Sequence, residues 1–162
     1  MSFSEGPRKL WSGKVLPNWL DYNGHMTEHR YLQVFGESSD AFYQLIGIDF
    51  EKADEGAFFT MQTHIHHLAE CKVDTTLWSD TQLLAYDAKR LHLYHRLFDK
   101  DGALLATGEH LAIHVRHSKA SEIPPEILGR VATFFDEDAH RAVPEGIGSV
   151  LKKQLARSRN PH

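Results

Sequence analysis

The sequence predicts an α+β domain in two layers, one long helix laid against an antiparallel sheet. Three observations carry that prediction. Apolar residues recur at helical spacing between Thr27 and Gly47. From Ala57 onward the period changes to two. Tight connections at Asp87-Ala88-Lys89 and Asp101-Gly102 then join the last three of four strand-like runs.

Residues 1–12 read as a poorly ordered lead, and Gly13 to Trp19, interrupted by Pro17, as an edge strand at best. Asp21-Tyr22-Asn23-Gly24-His25 has the composition of a turn. Thr27 is a suitable N-cap for the helix that follows, and Glu28 suits its positive end. Tyr31, Leu32, Phe35, Phe42, Leu45 and Ile46 trace one stripe, and Gly47 stands where a C-cap glycine belongs.

Four runs then read as strands: Ala57 to Glu70, Thr75 to Asp87, Arg90 to Lys100 and Ala103 to His117. In the last, Leu111, Ile113 and Val115 are expected on a dry face, with His110 and His114 on a polar one. Pro124 and Pro125 open a short amphipathic helix through Phe135. The basic tail from Leu151 is expected to fray. The expected organisation is a lead over 1–12, a domain over 13–136 and an extension over 137–162. A sheet of this kind has two edges, and a long edge invites a second copy of the chain.

Composition narrows the function. A chain of 162 residues holds one core and needs no disulfide or metal to fold. Its single cysteine, Cys71, excludes an internal disulfide and a Cys-rich zinc site. The net charge of -4 provides no field that gathers nucleic acid. No secretory h-region, membrane-length apolar run or lipidation motif stands out, so a cytoplasmic protein off the membrane is expected. Twelve histidines make the charge sensitive to pH.

The densest group of reactive side chains is Trp19-Leu20-Asp21-Tyr22-Asn23-Gly24-His25-Met26. A carboxylate, an amide and an imidazole lie in a turn that feeds a helix N-terminus. The free N–H groups there can stabilise an oxyanion, and a neighbouring carboxylate can attack or act as base. The same residue types are also ordinary turn and cap residues.

These residues resemble those of hotdog-fold acyl-CoA thioesterases of the 4-hydroxybenzoyl-CoA thioesterase type. Asp21 and Gly24 match the Asp-x-x-Gly spacing of that family. Asp21-x-Asn23-x-His25-Met26, with Tyr31-Leu32, is similar to Asp-x-Asn-x-His-Val-Asn-Asn-x-x-Tyr-Ile of acyl-ACP and bacterial acyl-CoA thioesterases, although Thr27-Glu28 replaces Asn-Asn. Within the group the run resembles the betainyl-CoA thioesterases of carnitine degradation. The resemblance covers residues 10–135 and implies a long central helix wrapped by about five antiparallel strands.

It further implies that Asp21 attacks the thioester or activates water, with Asn23 and His25 positioning the reactants. The oxyanion donor would be a backbone N–H near Glu28 or His29. No metal and no organic cofactor are expected. The substrate would be an acyl-CoA and the assembly a homodimer, or a dimer of dimers, with the site between subunits. Thr60, Gln62 and His64, on one strand face, would line the pocket from the partner side. Trp19 and Tyr22 flank Asp21 as candidate walls for a trimethylammonium group. Trp11, Phe58, Phe59 and Trp78 are further aromatic candidates.

Other features read more plainly. His64 and His66 share a strand face, but a catalytic zinc needs a third ligand and none is evident nearby. Cys71 reads as structural. Lys72, Lys89 and Arg90 could meet CoA phosphates or be solvated strand-end charges. Besides hydrolysis of a small acyl-CoA, two readings remain open: a thioesterase for a longer acyl-CoA, and a non-catalytic module that binds acyl-CoA or a quaternary ammonium.

Overall fold

The structure, a computed structural model, describes residues 6–148. The chain enters the sheet earlier than expected: β1 spans Arg8–Lys14, so part of the supposed lead is strand. Pro17–Trp19 is a single 3-10 turn rather than an edge strand. Pro17 has no N–H for a ladder, and its fixed φ suits the first position of a helical turn.

The main helix, α1 (Glu28–Leu45), follows, with Thr27 extended just before it. Gly47, at φ +103, turns the chain away in a conformation open to glycine. Then come β2 (Ala57–His67), β3 (Thr76–Tyr86), β4 (Arg90–Asp99) and β5 (Leu104–Arg116). A two-residue turn at His117 and Ser118, both with positive φ, folds the short β6 (Lys119–Ala120) back on β5. The second helix, α2 (Pro125–Asp138), ends the regular structure. All strand pairings are antiparallel, in the order β1-β3-β4-β5-β2. The meander of β3, β4 and β5 is as expected, and β2 is left with a free edge.

The face of α1 turned to the sheet differs from the expected stripe. Tyr31, Val34, Phe35, Phe42, Tyr43 and Ile46 are buried, whereas Leu32 and Leu45 are 44% and 42% exposed. Ser38 and Ser39 take their place inside. Ser38 meets Ser79 at 2.6 Å, while Ser39 and Thr81 each hold one ring nitrogen of His95 at 2.8 Å. This hydroxyl and imidazole belt separates two apolar clusters. One gathers Val15, Trp19, Met26, Phe35, Leu77 and Leu97; the other gathers Phe42, Ile46, Leu83, Leu91, Leu93 and Val131.

β5 also reverses the expected faces. His110 and His114 point under α1 and are buried, while Leu111, Ile113 and Val115 face outward and are half-covered. The small residues Ala106, Gly108 and Ala112 decide this, because they share the histidines' face and let the helix approach. A Cβ on Gly108 would stand 2.6 Å from the Phe35 ring.

α2 lies beside α1, with Phe134 6.0 Å from Phe42. Its last residue, Asp138, is buried and accepts hydrogen bonds from Arg8, Arg141 and the Leu83 N–H. β1 begins opposite Thr81, so β3 beyond that point has no strand neighbour on this side. Asp138 satisfies the exposed ladder donor.

Candidate active site at the start of α1

The turn before α1 is built by Asp21. Its Oδ1 accepts the N–H groups of Asn23 (2.8 Å) and His25 (3.2 Å). Its own N–H donates to the His25 carbonyl, and the Gly24 N–H donates to the Asp21 carbonyl. Gly24 sits at φ +77, where a Cβ would be strained. Both donors go to one carboxylate oxygen, so the other carries no bond within the turn.

The turn is tied to the segment after β2. The Met26 N–H donates to the Cys71 carbonyl at 2.9 Å, and His25 pairs with Lys72 as an isolated bridge. Glu70 is thereby brought to His25, with 3.5 Å between its carboxylate and Nδ1. Beneath them the Tyr31 hydroxyl donates to the Ala69 carbonyl. Its phenol is held above its ordinary range by burial first, then by charge on Cys71, Glu70 and Asp21, so these groups share one neighbourhood. Burial pushes the Cys71 thiol up as well, so it stays protonated and is no nucleophile. The first turn of α1 opens onto this spot, with the N–H groups of Glu28 and His29 outside the intrahelical ladder.

The other expected site residues are placed as follows. Asn23 and Glu28 are exposed beside the turn, and His25 is half-buried. Trp19 is 6% exposed and belongs to the core, with the Arg30 guanidinium over its ring, so it is not an open wall. Tyr22 is 96% exposed.

Thr60, Gln62 and His64 do not share a face, contrary to expectation. A bulge at Met61 pairs Thr60 with Ala112 but Gln62 with Leu111. Thr60 therefore lies on the helix side, near the Tyr43 hydroxyl, and Gln62 and His64 lie on the outer side. Phe58 stacks on Tyr43, and Trp78 stacks on Phe98 across the outer face. Lys72 is beside His25. Lys89 and Arg90 are at the far end of β3, about 30 Å away along the strand, and Arg90 is paired with Asp87.

Two residues that sequence reasoning missed stand out. Glu70 is far from the Asp21 turn in sequence, and its neighbour, His25, is brought to it by the turn. Glu109 accepts from or faces two histidines, His92 at 2.8 Å and His64 at 4.0 Å. Among the described residues no group of three or more His, Cys, Asp and Glu side chains is arranged to hold a metal ion. No helix among them is long and apolar enough to cross a membrane.

Residues 15–131 match the model of the thioesterase-like superfamily. A Pseudomonas aeruginosa PAO1 protein named betainyl-CoA thioesterase is 40% identical over 144 residues, covering 85% of this chain and 89% of its own. The Rhizobium meliloti L-carnitine dehydrogenase/betainyl-CoA thioesterase is 40% identical over 149 residues, 90% of this chain. This chain spans only 30% of that relative's length. A Staphylococcus aureus protein solved in complex with CoA superposes with a TM-score of 0.81 at 22% identity, covering 91% of this chain and 96% of its own. That likeness extends to the helix wrapped by its antiparallel sheet, the hotdog arrangement. With the family match spanning α1, strands β2 to β6 and the Asp21 turn, the chain belongs to the thioesterase-like superfamily.

Proposed function

We propose that the chain is an acyl-CoA thioesterase acting on a small acyl-CoA, with betainyl-CoA the favoured substrate. The observation that carries this reading is the Asp21 carboxylate, locked by two backbone N–H groups at the mouth of a helix N-terminus. A fixed, half-buried carboxylate beside free N–H donors is what thioester cleavage requires. The relatives' names supply the substrate.

In the general-base route the free oxygen of Asp21 takes a proton from water as the hydroxyl adds to the thioester carbonyl. The carbonyl oxygen becomes negative and is met by the N–H groups of Glu28 and His29. The C–S bond then breaks, the carboxylic acid forms, and the thiolate leaves to take up a proton. In the nucleophilic route the same oxygen attacks the carbonyl, the C–S bond breaks and the thiolate leaves to take up a proton, and water opens the resulting anhydride to release the acid and return the Asp21 carboxylate. His25 and Asn23 orient water or carbonyl, and Glu70 orients His25.

The site is completed by a second copy of the chain. The free edge of β2 carries Phe59, 63% exposed, and Tyr22 stands bare at the turn. A second β2 along this edge buries such aromatics and provides the trimethylammonium group with ring faces. With Trp19 in the core, Tyr22 is the aromatic beside Asp21 that remains for this contact.

The test is thiol release from a panel of betainyl-CoA, short straight-chain, long-chain and aromatic acyl-CoAs. A preference for betainyl-CoA in kcat/KM is expected. Preference for a long chain keeps the reaction and discards the ammonium contact. Saturable binding with no thiol released from any member replaces the enzyme by a binding module.

A further inference from the structure

Arg30, in the first turn of α1, has no part in the chemistry described above, and the helix does not account for its setting. A cation this close to a helix N-terminus opposes the dipole that the acidic Glu28 suits. Its Nε is buried with no hydrogen-bond partner among the described residues, a further cost. We infer that Arg30 is a positioning residue of the thioester-cleaving site, the clasp that holds the Asp21 turn in register with the N–H groups of Glu28 and His29. This role presupposes the hydrolysis proposed above.

The Asp21 turn is the tip of a small hairpin. The Thr27 N–H donates to the Trp19 carbonyl at 2.8 Å, Leu20 bridges to Met26, and the Asp21 N–H donates to the His25 carbonyl. The Asp21 carboxylate closes the tip on Asn23 and His25. Such a unit is stiff within itself, so its carboxylate shifts when the whole hairpin tilts. The arm after the tip, His25 and Met26, is fixed to Lys72 and Cys71. The arm before it reaches the side of α1 through Arg30. There Nη2 donates to the Asn18 carbonyl at 3.3 Å, and the guanidinium lies 5.5 Å from the centroid of the Trp19 ring.

The guanidinium is itself held from behind. Its Nη1 donates to Gln33 Oε1 at 2.7 Å. The Gln33 amide donates to Glu37 at 3.0 Å, and Glu37 accepts the Trp11 indole N–H at 2.6 Å. One chain of bonds thus runs from β1 along α1 to the hairpin, and Arg30 is its last link. The planar fork suits the position, because it bonds in two directions while lying over an aromatic ring. Lysine keeps the charge and loses that geometry. Precision matters here, since a misplacement of about 1 Å in a reacting group can cost about 10²-fold in rate.

Arg30→Lys in the full chain tests this, read by thiol release from the best acyl-CoA of the panel and by amide hydrogen exchange. Its kcat per folded molecule, measured well below melting, is expected to fall about tenfold or more with KM little changed. Exchange at residues 21–27 is expected to quicken about tenfold while β3 and β4 keep parental rates. A lower melting temperature with parental kcat per folded molecule would make Arg30 merely structural and overturn the inference, as would parental exchange in the hairpin. Gln33→Leu removes the hold from behind and leaves Arg30 in place, so it serves if Arg30→Lys folds poorly. It is expected to lower kcat about threefold, again with KM little changed, and parental kcat in it counts against the clasp. A parent that releases no thiol from any acyl-CoA overturns the proposed hydrolysis, and this role with it; an active parent with unaffected variants overturns the role of Arg30 alone.

Discussion

The Nδ1 of His25 faces the Glu70 carboxylate at 3.5 Å, although 45 residues of sequence separate them. The pairing exists because the Asp21 turn is hydrogen-bonded to the strand exit at Cys71 and Lys72. A carboxylate beside Nδ1 orients the ring with Nε2 turned away from it. Glu70 is largely exposed, so the pair contributes little to stability, about 1 kcal/mol at most. Glu70→Gln is therefore expected to melt like the parent. Its kcat is expected to fall about tenfold or more with KM little changed. Full kcat across the pH range would remove Glu70 from the site.

In the proposed function Asp21 has two separable duties, and two substitutions split them. Asp21→Asn keeps an oxygen to accept the Asn23 and His25 N–H groups but loses the charge. It is expected to fold normally and lose about 10²–10⁴-fold in kcat. Asp21→Ala also frees the two N–H groups, and is expected to lose roughly 1 kcal/mol of stability in addition. An Asp21→Asn variant with parental turnover would show that the carboxylate only shapes the turn.

How far the sequence foretold this can be seen strand by strand. The helix from Thr27 to Gly47 and the β3–β4–β5 meander were legible because period and turn chemistry are local signals. The faces were not. In β5 alternation marks two faces without saying which one the helix covers, and the small residues Gly108 and Ala112 outweighed the polarity of His110 and His114. In β2 one inserted residue, Met61, moved Thr60 to the other face from Gln62 and His64, and no composition rule marks that bulge. The Asp21 turn was legible for the same local reason as the helix. The contact between His25 and Glu70 was not, because it depends on two segments meeting through backbone bonds.

The buried histidines set a pH limit on the fold. Burial holds His95 well below its ordinary value, with the neighbouring His110 adding to the effect, and holds His110 down at about 4. His114 is lowered too, mainly by burial. A histidine depressed in the folded state stays neutral while the unfolded chain takes up a proton below about 6.5. Stability is therefore full above pH 6.5 and is lost as pH falls toward 4. His110 alone accounts for roughly 3 kcal/mol of that loss. Urea midpoints at pH 7.5 and 5.0 check the direction, and the parent is expected to be clearly weaker at pH 5.0. His110→Leu is expected to flatten the dependence, and an equally steep loss in that variant would assign it to other groups.

The closeness of α1 to β5 rests on one missing methyl group. A Cβ at position 108 would lie 2.6 Å from Cδ2 and 2.9 Å from Cε2 of Phe35, in a core where that ring is fully buried. Phe35 cannot swing aside, because it also stacks on His95 with centroids 5.7 Å apart. Gly108→Ala is thus expected to destabilise the fold by about 1–3 kcal/mol through overpacking. Phe35→Leu alone opens a void and is also expected to destabilise. Combined, the smaller side chain makes room for the added methyl, so the double variant should be more stable than the sum of the single losses by about 1 kcal/mol or more. Additive losses in chemical denaturation would mean that the methyl group strains something other than Phe35, and that α1 sits on β5 for another reason.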